Sequence, residues 1–119
     1  MRHLEINTDF TAEGVVAYLS GELDAKAASD LNVELISIMQ LANAYALVLE
    51  CSGLEYVSSA GMGELLSLAK TCKEAGIKLI LCQLQPQVQQ KLVVTGMIKR
   101  LTVAHTVEEA FQMGASITG

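Results

Sequence analysis

The sequence predicts an α/β layer fold: a central, mostly parallel sheet of four to five strands, an antiparallel N-terminal strand and about four helices. Three observations carry that prediction. Strand-like apolar runs alternate with segments of helical periodicity along the whole chain, the pattern of a layered parallel sheet. The first two strand-like runs are joined by a short connection, which favours an antiparallel pair there. A single proline, Pro86, interrupts little, and no repeat, linker or low-complexity stretch is visible.

The elements follow in order. Leu4-Glu5-Ile6-Asn7 alternates and reads as a strand, Gly14 marks a turn, and Val15 to Leu19 forms the second strand. Asp24 is a candidate N-cap. Behind it Leu31, Leu35, Ile38, Met39 and Ala42 recur on one helical face. Tyr45 to Leu49 is a nearly continuous apolar run, as a strand covered on both faces requires. Met62, Leu65, Leu66, Ala69 and Cys72 make the second helical stripe, with Gly76 as its stop. Ile77 to Cys82 is another strand. Pro86 suits the first position of a third helix and Gly96 its end. Thr102-Val103-Ala104 reads as a short edge strand. Thr106 with Glu109 forms a capping box before a last helix carrying Val107, Ala110, Phe111 and Gly114.

Composition narrows the function classes. The 119 residues fit one domain over 1–119, and 51% apolar content supplies a core built from aliphatic side chains, since Trp is absent. The net charge is −5, and the eight Lys and Arg are scattered, with Lys99-Arg100 the one basic pair. Nucleic-acid binding is not expected from that distribution. No run approaches the length of a membrane span, and nothing resembles a cleaved leader, so a soluble cytoplasmic protein is expected. Cys51, Cys72 and Cys82 are odd in number and lack metal-ligand spacing, and only His3 and His105 could assist them. They read as buried reduced thiols, with no metal and no cofactor.

Functional residues of an open α/β sheet gather at the carboxyl ends of the strands. Asp24 lies just past the second strand, and Ser58 and Ser59 lie several residues past the third. If those strands are parallel neighbours, all three residues share one edge with several helix N-termini, which favours negative charge there. The stretch Tyr56-Val57-Ser58-Ser59-Ala60-Gly61-Met62-Gly63 admits three readings. A nucleophile elbow is disfavoured, because Val57 stands where its first glycine belongs and neither histidine has a predicted acid partner. A phosphate cradle is disfavoured, because the third glycine and the Gly-Lys-Ser/Thr signature are missing. On spacing alone, Ser58 as a plain helix cap is the best account.

Taken together, Gly21-Glu22-Leu23-Asp24, the helix and strand after it, and Ser58-Ser59-Ala60-Gly61-Met62-Gly63-Glu64-Leu65-Leu66 resemble the STAS domain, and more narrowly the single-domain anti-sigma-factor antagonists of bacteria. Thr95 to Leu101 and Thr106 to Ala110 resemble the C-terminal part of that family, so the likeness spans nearly the whole chain. The resemblance implies a binding protein rather than an enzyme; the sequence does not fix the oligomeric state, and a monomer is favoured. Its partner would be an anti-sigma factor with serine kinase activity, whose capture frees a sigma factor. It implies phosphorylation of Ser59, or of Ser58 as the alternative, reversed by a metal-dependent serine phosphatase. Asp24, Ser58, Ser59, Gly61, Met62 and Gly63 would form the partner-binding surface. Many relatives carry Asp where this chain has Ser58; others carry Ser-Ser-Ala-Gly, as here. STAS domains also serve as accessory subunits of transporters, ATPases or signalling scaffolds, which is the alternative role.

Overall fold

The computed structural model describes residues 3–116. The first two strands, β1 (Glu5–Thr11) and β2 (Gly14–Leu23), form an antiparallel hairpin. The Thr11 hydroxyl holds its turn by accepting from the N–H groups of Glu13 and Gly14, both at 3.1 Å. Helix α1 (Ala25–Ala42) leads to β3 (Ala46–Val57), α2 (Ser59–Glu74), β4 (Lys78–Cys82) and α3 (Pro86–Val94). A 3₁₀ turn (Met97–Arg100), the short β5 (Thr102–Ala104) and α4 (Val107–Ser116) complete the order. The sheet runs β1-β2-β3-β4-β5, and every pairing after the first is parallel. This is the mostly parallel α/β sheet with an antiparallel N-terminal strand that the alternating pattern predicts.

Each helix end has a local chemical cause. Asp24 Oδ1 accepts the Ala27 N–H at 2.9 Å and starts α1. Helix α2 stops in a Schellman motif: the Ile77 N–H reaches the Cys72 carbonyl at 2.8 Å, Gly76 N–H reaches Lys73, and Gly76 takes φ +76. Pro86 opens α3, and Gly96 at φ +78 lies just past its end. The Thr106 hydroxyl accepts the Glu109 N–H at 3.1 Å. The carboxylate of Glu109 faces His105 Nδ1 at 3.3 Å, so only half of the expected capping box is seen.

Helices α1, α2 and α3 cover one sheet face. There Val15, Ala17, Leu19, Leu47, Leu49 and Leu81 meet Leu31, Leu35 and Met39 of α1, Leu65 and Leu68 of α2, and Leu92 of α3. On the other face Val16, Val48 and Ile80 meet Ala110 and Phe111 of α4. Full burial of each such aliphatic side chain contributes roughly 1.5–3 kcal/mol. One detail differs from the stripe expected for α2. Leu68 is buried, whereas Leu66 and Ala69 are half-buried.

Two strands are longer than their apolar runs suggest. The second runs on through Gly21-Glu22-Leu23, and the third continues from Glu50 to Val57. Beyond Glu50 the third strand has passed the end of its pairing with β4, so one edge no longer faces a strand. Side chains of the α3 region take over as donors there. Gln85 Nε2 reaches the Ser52 carbonyl at 2.6 Å, Gln87 Nε2 reaches Glu55 at 3.2 Å, and Lys91 Nζ reaches Val57 at 2.5 Å. The edge is thereby blunted and its carbonyls are satisfied.

Candidate functional site

The extension of β2 and β3 builds the site. Their ladder runs to Leu23 opposite Val57, so Asp24 and Ser58 both leave the sheet at the same edge. Ser58 therefore follows its strand directly, instead of standing several residues beyond it. The two chain ends are joined, because the Ser58 N–H donates to the Leu23 carbonyl at 2.9 Å. Two helix N-termini result, side by side. Each is capped by its own side chain: Asp24 for α1, and Ser58 for α2, whose Oγ accepts the Gly61 N–H at 2.9 Å.

The two serines are not equivalent. Ser58 is half-buried, and its hydroxyl is engaged as the cap. Ser59 is the first residue of α2 and is exposed. Among the described residues nothing hydrogen-bonds its hydroxyl, so no histidine or carboxylate is placed to activate it as a nucleophile. The remaining unpaired N–H groups of the first turn favour negative charge at this position.

The glycines divide too. A Cβ on Gly61 would stand 2.3 Å from the Leu23 carbonyl oxygen, so only glycine lets α2 begin this close to β2. Gly63 is exposed, and a Cβ there would meet nothing within 4 Å. Met62, expected at the rim of a binding surface, is only 4% exposed and belongs to the core cluster. Its sulfur lies 3.9 Å from the Thr95 hydroxyl of the α3 C-cap. Of the residues expected to meet a partner, Asp24, Ser58, Ser59 and Gly63 reach the surface, while Gly61 and Met62 lie under it.

Four further side chains, in two pairs, organise this edge without a signal in the sequence. Lys91 Nζ, bound to the Val57 carbonyl, also sits 4.6 Å from the ring centre of Tyr56, which is 45% exposed. Asn32 on α1 donates through Nδ2 to the Glu64 carbonyl at 3.1 Å and to Glu64 Oε2 at 3.0 Å. That contact fixes α2 against α1 a turn below the exposed serine. These residues are some thirty positions apart in the chain, and only the fold brings them together.

Comparison with known proteins places this arrangement. The STAS domain family model matches residues 5–110. The Bordetella bronchiseptica protein BtrV, whose name assigns it to the anti-sigma factor antagonists, is 30% identical over 96 residues, covering 81% of this chain and 82% of that protein. The anti-sigma F factor antagonist of Paenibacillus polymyxa is 24% identical over 101 residues, covering 85% and 86%. Among solved structures, the anti-sigma factor antagonist SpoIIAA in its unphosphorylated form superposes with a TM-score of 0.74 at 21% identity, covering 97% of this chain and all of that one. The phosphorylated form of the Bacillus SpoIIAA gives 0.64 at 22% identity, covering 92% and 97%.

Proposed function

This chain belongs to the STAS domain family, and from that premise we propose that it is an anti-sigma factor antagonist switched by phosphorylation of Ser59. It binds an anti-sigma factor that is also a serine kinase, and so releases a sigma factor. The kinase ends the complex by modifying Ser59, and a metal-dependent serine phosphatase restores it. The relatives named for anti-sigma factor antagonism support the partner. The observation that carries the switch is the division of labour between the serines: the cap is already made by Ser58, and the exposed Ser59 hydroxyl is unengaged at the same edge as Asp24.

The physics of the switch follows. A phosphoryl group adds about −1.5 to −2 charges. At the N-terminus of α2 that charge is stabilised by roughly 0.3–1 kcal/mol, so the fold itself tolerates it. The penalty falls on the interface, where a bulky dianion beside the Asp24 carboxylate is set against the partner. Like-charge juxtaposition there costs several kcal/mol, and each ~1.4 kcal/mol is tenfold in affinity. A weakening of about a hundredfold or more results.

The test uses purified protein and the candidate kinase partner. After treatment with kinase and ATP, peptide mass spectrometry should place the phosphate on Ser59. Ser59→Ala should stay bound, and Ser59→Glu should bind about a hundredfold more weakly. Phosphate on Ser58 would move the switch by one residue, and equal affinity of the two variants would remove it.

A further inference from the structure

Four of the eight Lys and Arg side chains, Lys70, Lys73, Lys78 and Arg100, line one groove of about 740 Å³. No Asp or Glu lines it, although the chain carries a net charge of −5. Among the described residues none of these four cations has an ion-pair partner. The scatter of basic residues along the sequence thus becomes a cluster in space.

The groove exists because β5 is short. It joins β4 only from Ile80 to Cys82, so Lys78 and Leu79 lie at a strand edge that β5 does not cover. The C-terminal half of α2 walls one side, and the junction of the 3₁₀ turn with β5 walls the other. Between the cations lie Leu66, Ala69, Ile77, Leu79 and Leu101, all half-buried. Leu66 and Ala69 are the positions whose helical spacing assigns them to the core and which the fold leaves half-covered.

We infer that this groove is a second docking surface, which takes an acidic segment of a partner protein in which carboxylates are interleaved with aliphatic side chains. The charge sets the sign of the occupant. The aliphatic lining, with Lys and Arg stems beside it, calls for apolar groups between the carboxylates, which a simple inorganic anion lacks. The surface is a recess between a helix and a turn, which suits a chain segment better than a flat lipid headgroup layer. It is also continuous with the serine edge. Ser59, Gly63, Leu66 and Lys70 recur at helical spacing on one face of α2, and Gly63 itself lines the groove. Ser59 and Lys70 are roughly 16 Å apart along the helix. A partner seated over Ser59 reaches the groove by following α2. The inference goes beyond the switch, since it needs neither modification of Ser59 nor an anti-sigma factor as the partner.

The experiment titrates a short synthetic peptide alternating Glu with Leu into ¹⁵N-labelled protein at low salt. Saturable amide shifts are expected at Gly63, Leu66, Lys70, Leu79 and Leu101, weakening as salt is raised. Lys70→Glu with Arg100→Glu should reduce affinity by about tenfold or more, whereas Leu41→Gln, at an exposed position of α1 outside the groove, should leave it unchanged. An amide spectrum of the doubly reversed variant as well dispersed as that of wild type shows that the variant is folded. The proposal is overturned by no saturable response in the groove, by unchanged affinity of the doubly reversed variant, or by inorganic phosphate alone producing the same shifts. Broadening of the groove resonances by phosphatidylglycerol vesicles, with no response to the peptide, would assign the groove to a membrane surface and overturn it equally. Failure of the Ser59 switch is read from the phosphorylation assay and leaves this titration untouched.

Discussion

Two glycines two residues apart at the start of α2 should respond to the same substitution with opposite signs. In Gly61→Ala the new methyl would sit 2.3 Å from the Leu23 carbonyl oxygen and 3.1 Å from its carbon. That is about 1 Å inside ordinary contact, and both partners are backbone, so no flexible side chain can yield. The start of α2 must retreat, which strains the 2.9 Å bond from the Ser58 N–H to the same oxygen. Overpacking of this kind costs about 1–3 kcal/mol. Replacing Gly by Ala in a helix returns at most about 1 kcal/mol. The net expectation is a loss of about 1–2 kcal/mol. Gly63→Ala meets nothing within 4 Å, so only the propensity term remains, and stability should rise by up to about 1 kcal/mol. Urea unfolding reads both. With a slope of about 2 kcal/mol per molar, the midpoint should fall by about 0.5–1 M for Gly61→Ala and rise by up to about 0.5 M for Gly63→Ala. Movement of both midpoints in the same direction, or a wild-type midpoint for Gly61→Ala, would refute the close approach of α2 to β2.

Other substitutions and conditions test neighbouring parts of the account. Ser58→Ala removes the cap bond to the Gly61 N–H and should lower stability by about 1 kcal/mol, seen as a drop of a few degrees in Tm. Ser58→Asp, which also caps, should stay within a few tenths of a kcal/mol of wild type; a loss as large as that of alanine would deny Ser58 its capping role. Burial pushes the thiols of Cys72 and Cys82 up to about 11 from 9.0, the Glu50 carboxylate adding to the second, and burial followed by Cys82 and Glu50 raises Cys51 further. Below about pH 9 these thiols are protonated in both states and their contribution to stability is intact. Above it the unfolded chain sheds thiol protons that the folded chain keeps, so stability falls as pH rises towards about 11. The Tm of Cys72→Ala should decline less steeply than that of wild type over that interval, and parallel declines would sink the attribution.

Local chemistry made much of this protein legible from its sequence. Helix starts and stops depend on one or two side chains, and Asp24, Gly76, Pro86, Gly96 and Thr106 each act where their chemistry predicts. The apolar runs of β2, β3 and β4 are covered on both faces, so the place of each strand along the chain follows from short-range pattern, while their order in the sheet comes from the fold. Recognition of the serine stretch rests on a motif read along the chain. The ends of β2 and β3 were less visible, because their last residues mix charged and polar side chains with apolar ones. Those residues form strand because they pair with each other and, on one side, receive donors from Gln85, Gln87 and Lys91.

Tertiary structure alone decided which side of α2 is covered. Helical periodicity places Leu65, Leu66, Ala69 and Cys72 together, but what lies opposite each of them depends on the length of β5 and the path of the 3₁₀ turn. It likewise buried Met62 beneath the serine edge and gathered Lys70, Lys73, Lys78 and Arg100 around one recess. The sequence by itself determined the elements, their order along the chain and Ser58 as a cap, because those rest on neighbours within a few residues. Which surfaces meet a partner depends on contacts between residues some thirty positions apart, and only the packed sheet and helices set those distances.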